Sequence, residues 1–258
     1  MSRKKILLIG DLPLATMVLR AVRARGEAEV VAVITQYKDR EFKNDPWPGV
    51  PGLYSEAVDS GIPVFHSPKA LMEAMPSVRF DIGLSCRASI IYKADFIDRF
   101  DIGLINMHGG LLPSRAGLHI ACHSVIEGDE EGGATLHLIT PAIDEGDILA
   151  RKSFPIGPDD TAFDVYQKTQ LALLDLFGTL LDDLIAGKLA SRSQAHFIAQ
   201  GERRVYFGKN ALEAMKLVDP STMTEDEIDR RVRGCAFPGH EPCYMMVKGR
   251  KVYLSHRY

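Results

Sequence analysis

The chain is poor in the features that announce several protein classes. Its 258 residues hold four cysteines, Cys86, Cys122, Cys235 and Cys243. No two stand in a Cys-x-x-Cys pair, so the spacing signals neither a zinc knuckle nor a thioredoxin-type site. A Cys235–Cys243 disulfide stays open, but a chain of this size needs no staple to fold; reduced thiols in a cytoplasmic protein are the expected reading. Long apolar runs are missing. The longest unbroken aliphatic stretch is Val30–Ile34, far short of the ~20 residues that span a bilayer. The N-terminus Met1-Ser-Arg-Lys-Lys is basic, but the apolar segment behind it, Ile6–Ile9, is too short for a signal-peptide core. A basic excess is absent too: 31 Lys and Arg stand against 34 Asp and Glu, net −3, which argues against a dedicated nucleic-acid binder. Gly10-Asp11 does not open a Gly-x-Gly-x-x-Gly turn, and no His-Glu-x-x-His occurs, so neither a nicotinamide enzyme nor a zinc protease is indicated. These absences predict a cytoplasmic protein with no membrane segment, no resident metal and no nucleic-acid partner.

What is present is an ordinary globular composition, 46% apolar and 25% charged. A fold of this length buries about 75% of its unfolded surface, enough for a full core. Lys4–Gly10 is a short apolar run ending in glycine, the pattern of a buried parallel strand. Pro13 suits the first turn of a helix, and Met17, Ala21 and Ala24 give that helix one apolar face. A strand follows at 29–35, then a polar loop over 37–52 rich in proline and glycine, of a length often associated with function. The alternation continues: helix 53–60, strand 62–66, helix 68–75, strand 80–86, helix 93–100, strand 102–107. This predicts an α/β fold, a Rossmann-like, mostly parallel twisted sheet with helices on both faces.

After residue 108 the rhythm changes. A loop at 109–117 leads to a helix at 118–128, ended by Gly128. Strands at 134–140 and 148–156 flank an acidic turn. The longest helix covers 161–186, with Thr161 as cap, Leu173, Phe177, Leu180 and Leu184 as one stripe, and Gly187 as stop. A boundary near 190 divides a catalytic domain, 1–190, from a small C-terminal α+β appendage, 191–258, with a helix near 224–236 and a hairpin turning through Lys248-Gly249-Arg250. Residues 200–258 carry a net +3 and the remainder −6. So short a tail is marginal alone and is expected to pack on the body.

Chemistry is expected where strand 102–107 ends at Asn106-Met107-His108. Ligands bind at the carboxyl ends of strands in open parallel sheets. Residues one apart on a strand share a face, so an amide donor and an imidazole point the same way, a pair suited to an oxyanion and a proton. Two polar caps of a strand end are the competing reading. The turn Pro141-Ala-Ile-Asp144-Glu145-Gly146-Asp147 supplies a carboxylate able to raise a histidine pKa, or is a plain acidic turn. His119, His123 and Glu127 fall at helical spacing, a weak zinc pattern set against a pocket-rim reading.

The segments INMHGGLLPSRAG and GDEEGGATLHLITPAIDEGDILARKSFPIGPDDTA resemble the formyltransferases that use 10-formyltetrahydrofolate. That family includes the glycinamide ribonucleotide, methionyl-tRNA, hydroxyornithine and nucleotide-amino-sugar enzymes. The matching positions are Asn106, His108, Leu111, Leu112, Pro113, Thr135, His137 and Asp144; Gly109-Gly110 and Arg115-Ala116 depart from the usual pattern. The resemblance implies catalysis by Asn106, protonated His108 and Asp144, with Thr135 and His137 in support and no metal. It implies a folate slot from Ala88, Ser89, Ile90, Ile91, Tyr92, Ile97 and Leu104, with backbone from Ile139, Thr140, Ala142 and Ile143. Gly109, Gly110 and Arg115 are the acceptor-side candidates, Arg115 toward a diphosphate.

Gly10-Asp11-Leu12-Pro13 offers an acid where a ribonucleotide phosphate would need free amides, and the tail is weakly basic for tRNA. The segment from Arg233 to Pro242, with the hairpin behind it, is similar to the short tails of nucleotide-sugar N-formyltransferases. The acceptor so implied is a dTDP- or GDP-linked 4-amino-4,6-dideoxyhexose, and the apolar hairpin suggests a homodimer. The alternatives are another amine acceptor, such as hydroxyornithine, methionyl-tRNA or glycinamide ribonucleotide, or a non-catalytic folate- or nucleotide-binding protein of the same fold.

Overall fold

The computed structural model describes residues 3–36 and 44–256; the first half of the predicted 37–52 loop lies outside them. The chain opens as β1 (Lys4–Gly10), α1 (Pro13–Arg23), β2 (Ala28–Ile34), α2 (Leu53–Asp59), β3 (Val64–Phe65), α3 (Pro68–Ala74), β4 (Phe80–Cys86), α4 (Ala94–Ile97) and β5 (Phe100–His108). It continues as β6 (Ala116–Gly117), α5 (Ile120–Glu127), β7 (Glu131–Leu138), β8 (Ile148–Pro155) and α6 (Ala162–Ile185). The tail adds α7 (Gln194–Ala199), β9 (Tyr206–Phe207), α8 (Ala211–Met215), α9 (Glu225–Gly234), β10 (Tyr244–Val247) and β11 (Arg250–Tyr253).

One seven-stranded sheet in the order β3-β2-β1-β4-β5-β7-β8 organises the body. The pairings from β3 to β5 are parallel, whereas β7 runs antiparallel to β5 and to β8. Strand β1 explains why its sequence is continuously apolar. Ile6 and Leu8 enter one core with α1 and α6, while Leu7 and Ile9 enter another with Leu71, Phe80, Phe96 and Phe100. All four are fully buried, as expected for a strand covered on both faces. Helix α6 starts from a reciprocal Thr161–Asp164 capping box and ends at Gly187 with φ +66, a conformation glycine adopts freely.

Three expectations are corrected. The buried face of α1 is Leu14, Val18, Leu19 and Val22, not Met17, Ala21 and Ala24; the β-branched and leucine stripe carries more apolar area per residue and takes the core. The helix expected at 93–100 stops at Ile97, because Phe100 opens β5 and packs against Phe80 and Phe96 at 5.6 and 5.4 Å between ring centroids. Elements β6, α7, β9 and α8 were not anticipated; none exceeds six residues, too short for hydrophobic periodicity to register.

The tail packs on the body through α9 and α5, where Cys122 and Ile126 meet Cys235 and Val218. All four cysteines are free. Strand β9 pairs in parallel with β6, and β10 with β11 through Lys248-Gly249, both at positive φ as a two-residue hairpin turn requires.

Candidate active site

Strand β5 delivers Asn106 and His108 to the carboxyl-terminal edge of the sheet. Its antiparallel neighbour β7 sets His137 directly opposite Asn106, and Thr135 opposite His108. Four polar side chains thus meet across two strands, because period-two alternation places them on one face of the pair. The turn after β7 swings Asp144 back over them. Its Oδ2 lies 3.7 Å from His108 Nδ1 and its Oδ1 3.5 Å from His137 Nε2. An amide, two imidazoles and a carboxylate therefore converge, although 36 residues separate His108 from Asp144.

The hydrogen bonds fix the tautomers. A carbonyl can only accept, so His137 Nδ1 donates to the Leu138 carbonyl at 2.9 Å. In that tautomer its Nε2 accepts from Asn106 Nδ2 at 3.1 Å, which leaves a second amide N–H on Asn106, a residue that lines the cleft. His108 Nε2 donates to the Arg115 carbonyl at 2.6 Å. Its Nδ1, beyond hydrogen-bond reach of Asp144, is available to a reacting atom. Thr135 Oγ1 donates to Gly110 O at 2.6 Å and accepts from Leu112 N at 3.1 Å, so it pins the loop that follows His108.

Burial lowers the His108 pKa below the ordinary histidine value. Asp144 and the Arg115 carbonyl pull it up, His137 and Arg87 push it down, and the net shift is downward. Burial thus opposes the charged form that the resemblance implies for His108, and Asp144 offsets it only in part. For Asp144, burial works toward a higher pKa but is outweighed by the neighbouring His137, by the positive charge His108 carries when protonated and by the Gly117 N–H, and the carboxyl is held at about 2. Gly117 N donates to Oδ2 at 2.9 Å. Gly117 itself has φ +99, and a Cβ there would collide with the Phe207 backbone.

A cleft of about 440 Å³ opens beside these groups, within the usual range for small-molecule sites. It is lined by Ala88, Ser89, Ile90, Ile91 and Tyr92 after β4, by Ile139, Thr140, Ala142 and Ile143 after β7, and by Gly109. Ile91 is 78% exposed and Ile143 48%, so apolar side chains stand at its rim unfilled. Tyr92 is satisfied by Ser85 Oγ at 3.0 Å. The cleft thus combines apolar walls with the turn that follows β7.

Four predicted residues fall elsewhere. Leu104 is core, and meets the site only by accepting a hydrogen bond from Ile139 N at 2.7 Å through its carbonyl. Ile97 packs in the same core. Gly110 is buried against the Arg115 carbonyl and His108 ring, where a Cβ would not fit. The Arg115 guanidinium pairs with Asp129 and Glu127 and lies outside the lining, so it is engaged structurally. The zinc pattern dissolves as well: His119 sits at φ +56 before α5, His123 is fully buried against Phe207, and Glu127 pairs with Arg115. Among the described residues no cluster suited to a metal ion occurs.

Sequence reasoning missed Arg87, Tyr206, Gln194 and Arg204. Arg87 follows β4 at φ +54 and borders both this cleft and a second cavity of about 670 Å³. The strand-end rule could have found Arg87; the others carry no local signal. The second cavity runs between Asp45, Tyr166, His119, Lys216, Phe237 and His240, and so joins body and tail.

Comparison with known proteins places the chain among formyltransferases. The chain is 31% identical over 235 residues to a methionyl-tRNA formyltransferase of Desulfotalea psychrophila, covering 89% of this chain and 70% of that one. It superposes on a 4-N formyltransferase from Francisella tularensis with TM-score 0.79 at 21% identity, covering 98% and 97% of the two chains. It is similar too to an N-formyltransferase from Helicobacter canadensis solved with folinic acid and dTDP-3-aminofucose, with TM-score 0.75, 22% identity, and 97% and 86% coverage. Residues 4–174 match the family described as formyl transferase, and the chain belongs to that family.

Proposed function

We propose that the protein transfers the formyl group of 10-formyltetrahydrofolate to the amino group of a nucleotide-linked amino sugar, such as a dTDP- or GDP-4-amino-4,6-dideoxyhexose. The observation that carries the reading is the convergence of Asn106, His108 and Asp144 on the wall of one cavity, which shares Arg87, His119 and Ile120 with a second. One is sized and lined for a folate ring; the other reaches into the tail. The Helicobacter canadensis protein, bound to a folate and a dTDP-amino sugar, supports the pairing of ligands, as does the near end-to-end match with the Francisella tularensis enzyme.

The folate cosubstrate supplies an already activated formyl group, so the protein has to position, stabilise charge and move a proton. The free N–H of Asn106 donates to the oxygen on which negative charge develops; one such donor contributes about 3–4 kcal/mol in acyl-transfer enzymes. Neutral His108 accepts the proton of the attacking amine at Nδ1. The imidazolium so formed faces the Asp144 carboxylate, which stabilises it, and it can return the proton to the departing nitrogen. His137 orients Asn106, and Thr135 holds the loop behind His108.

Relatives that act on methionyl-tRNA favour a second reading, with an aminoacyl-tRNA amine as acceptor. Purified protein with 10-formyltetrahydrofolate separates the two: the sugar reading expects tetrahydrofolate release with the amino-sugar nucleotide and none with methionyl-tRNA. Release with tRNA alone reverses the assignment, and folate binding without turnover on any amine leaves a binding protein. The hairpin exposes Met246 and Tyr253 on one face and Val247 and Val252 on the other, apolar surface that supports a homodimer, checked by light scattering.

A further inference from the structure

We propose that residues 192–207 form a strap that sets the position of Asp144, with Gln194 and Arg204 as its positioning residues. The proposal rests on the reading of Asp144 as partner of His108.

Asp144 sits at φ +52, a conformation that a residue with a Cβ holds only when its surroundings impose it. Its carbonyl is gripped from the tail: Gln194 Nε2 donates to it at 2.7 Å, and an Arg204 nitrogen at 3.2 Å. The same two side chains take the neighbouring groups of the turn. Gln194 donates to Gly146 O at 3.0 Å, and Arg204 to Ile143 O at 3.1 Å and Glu145 Oε1 at 3.0 Å. Carbonyls drawn toward the tail fix the peptide planes on both sides of Asp144 and leave its side chain to project inward. The carboxylate end is held by the same strap at one remove. Gly117 N, which donates to Asp144 Oδ2, lies on β6, and β6 is positioned by pairing with β9.

The strap is itself anchored. Arg192 exchanges backbone hydrogen bonds with Ile148 at 2.8 and 2.9 Å. Phe197 packs with Leu112, Ala116 and Ile148, and Glu202 receives the Arg151 guanidinium. Gln194 is 7% exposed, a buried amide committed to two carbonyls of an otherwise exposed turn. Such a group serves geometry more than solubility, because a buried donor is costly unless its bonds are made.

The test compares Gln194→Met, Arg204→Met, Arg204→Lys and Asp144→Asn with Arg203→Met, a change at the exposed neighbour. The first readout is the titration of the His108 Cε1–H by NMR on the protein alone, which needs no acceptor. The double variant Gln194→Met/Arg204→Met is expected to move the His108 midpoint downward, in the direction of Asp144→Asn, while Arg203→Met leaves it in place and Arg204→Lys falls between. The second readout is turnover: kcat drops on the order of tenfold or more while KM for folate stays within about twofold. A folded double variant with unchanged titration and kcat overturns the strap. So does a variant whose activity loss only tracks lost thermal stability while His108 titrates as before. If Asp144→Asn itself leaves His108 and turnover unchanged, the reading of the site fails instead, and the two failures are told apart.

Discussion

The cleft at the strand ends and the cavity under the tail are neighbours that share Arg87, His119 and Ile120, yet they are built differently. The cleft draws on residues 85–92, 106–109 and 137–144, all at the edges of β4, β5 and β7, with Tyr206 and residues 117–120 closing it. Asn106, His108, Thr135 and His137 are fixed by ladder hydrogen bonds and cross-strand pairs, and Asp144 by the turn after β7. The cavity draws on seven separated stretches, from Leu12 to Glu241, most of them loops or short helices. The difference teaches a division of labour. Chemistry that tolerates no displacement sits on the sheet, where position is set by backbone pairing. Under the proposed function, acceptor recognition falls where loops can change without disturbing the sheet.

The division is sharpest if His108→Asn abolishes turnover, with a loss of about 10³-fold or more, while folate affinity measured by calorimetry stays within about threefold. Asn106→Ala comes next, with a loss of about 10²–10³-fold in kcat and again little change in folate binding. A variant at either position that weakened folate as strongly as it slowed turnover would break the separation. Arg87, on the boundary, tests the other side: Arg87→Met is expected to raise the acceptor KM about tenfold and leave the folate KM unchanged.

The pH behaviour is a smaller effect with a definite sign. Because burial holds the His108 pKa below the ordinary ~6.5, the proposed neutral base predicts that kcat/KM holds through neutrality and falls only on acidification. Activity that declined as pH rose through ~6.5 would mean the charged imidazole is the working form. The Asp144 carboxyl, at about 2 in the folded protein against 3.8 ordinarily, binds its proton less readily folded than unfolded. Its stabilisation, about 2 kcal/mol, is therefore complete above pH 3.8 and lost as pH falls toward 2. Chemical unfolding of Asp144→Asn across that window should lack this dependence.

The smallest expected effect belongs to the seam between body and tail. His123 is fully buried, stacks on Phe207 at 4.0 Å, and has both ring nitrogens unpaired; burial lowers its pKa to about 4. A histidine that resists protonation when folded loses stability as pH drops below ~6.5. His123→Phe should flatten the fall in melting temperature between about pH 6.5 and 4 and recover on the order of 1–2 kcal/mol at the acid end, with turnover at neutral pH unchanged.

Much of this was legible in residues. The continuous apolar runs of β1 and β2, the cap at Thr161 and the glycine stop at Gly187 announce their elements locally. Asn106 and His108 announce a shared face through their spacing alone. The misreadings share a cause. Arg115 was taken as a free cation because charge is visible in sequence, whereas its carboxylate partners Asp129 and Glu127 are visible only once α5 folds back. Leu104 and Ile97 were given to the cleft because an aliphatic residue reads alike in a wall and in a core. Gln194 and Arg204 gave no signal, since a turn 50 or more residues away is what they hold.

The amino-acid order by itself determined the strands, their parallel succession and the pairing of an amide with an imidazole, because these follow from side-chain period and backbone preference over a few residues. Which carboxylate faces that imidazole, how far burial overrides its charge, and which tail residues hold the turn were decided by tertiary structure alone. Distances, dielectric surroundings and hydrogen-bond partners belong to groups remote in the chain and exist only once the chain has closed on itself.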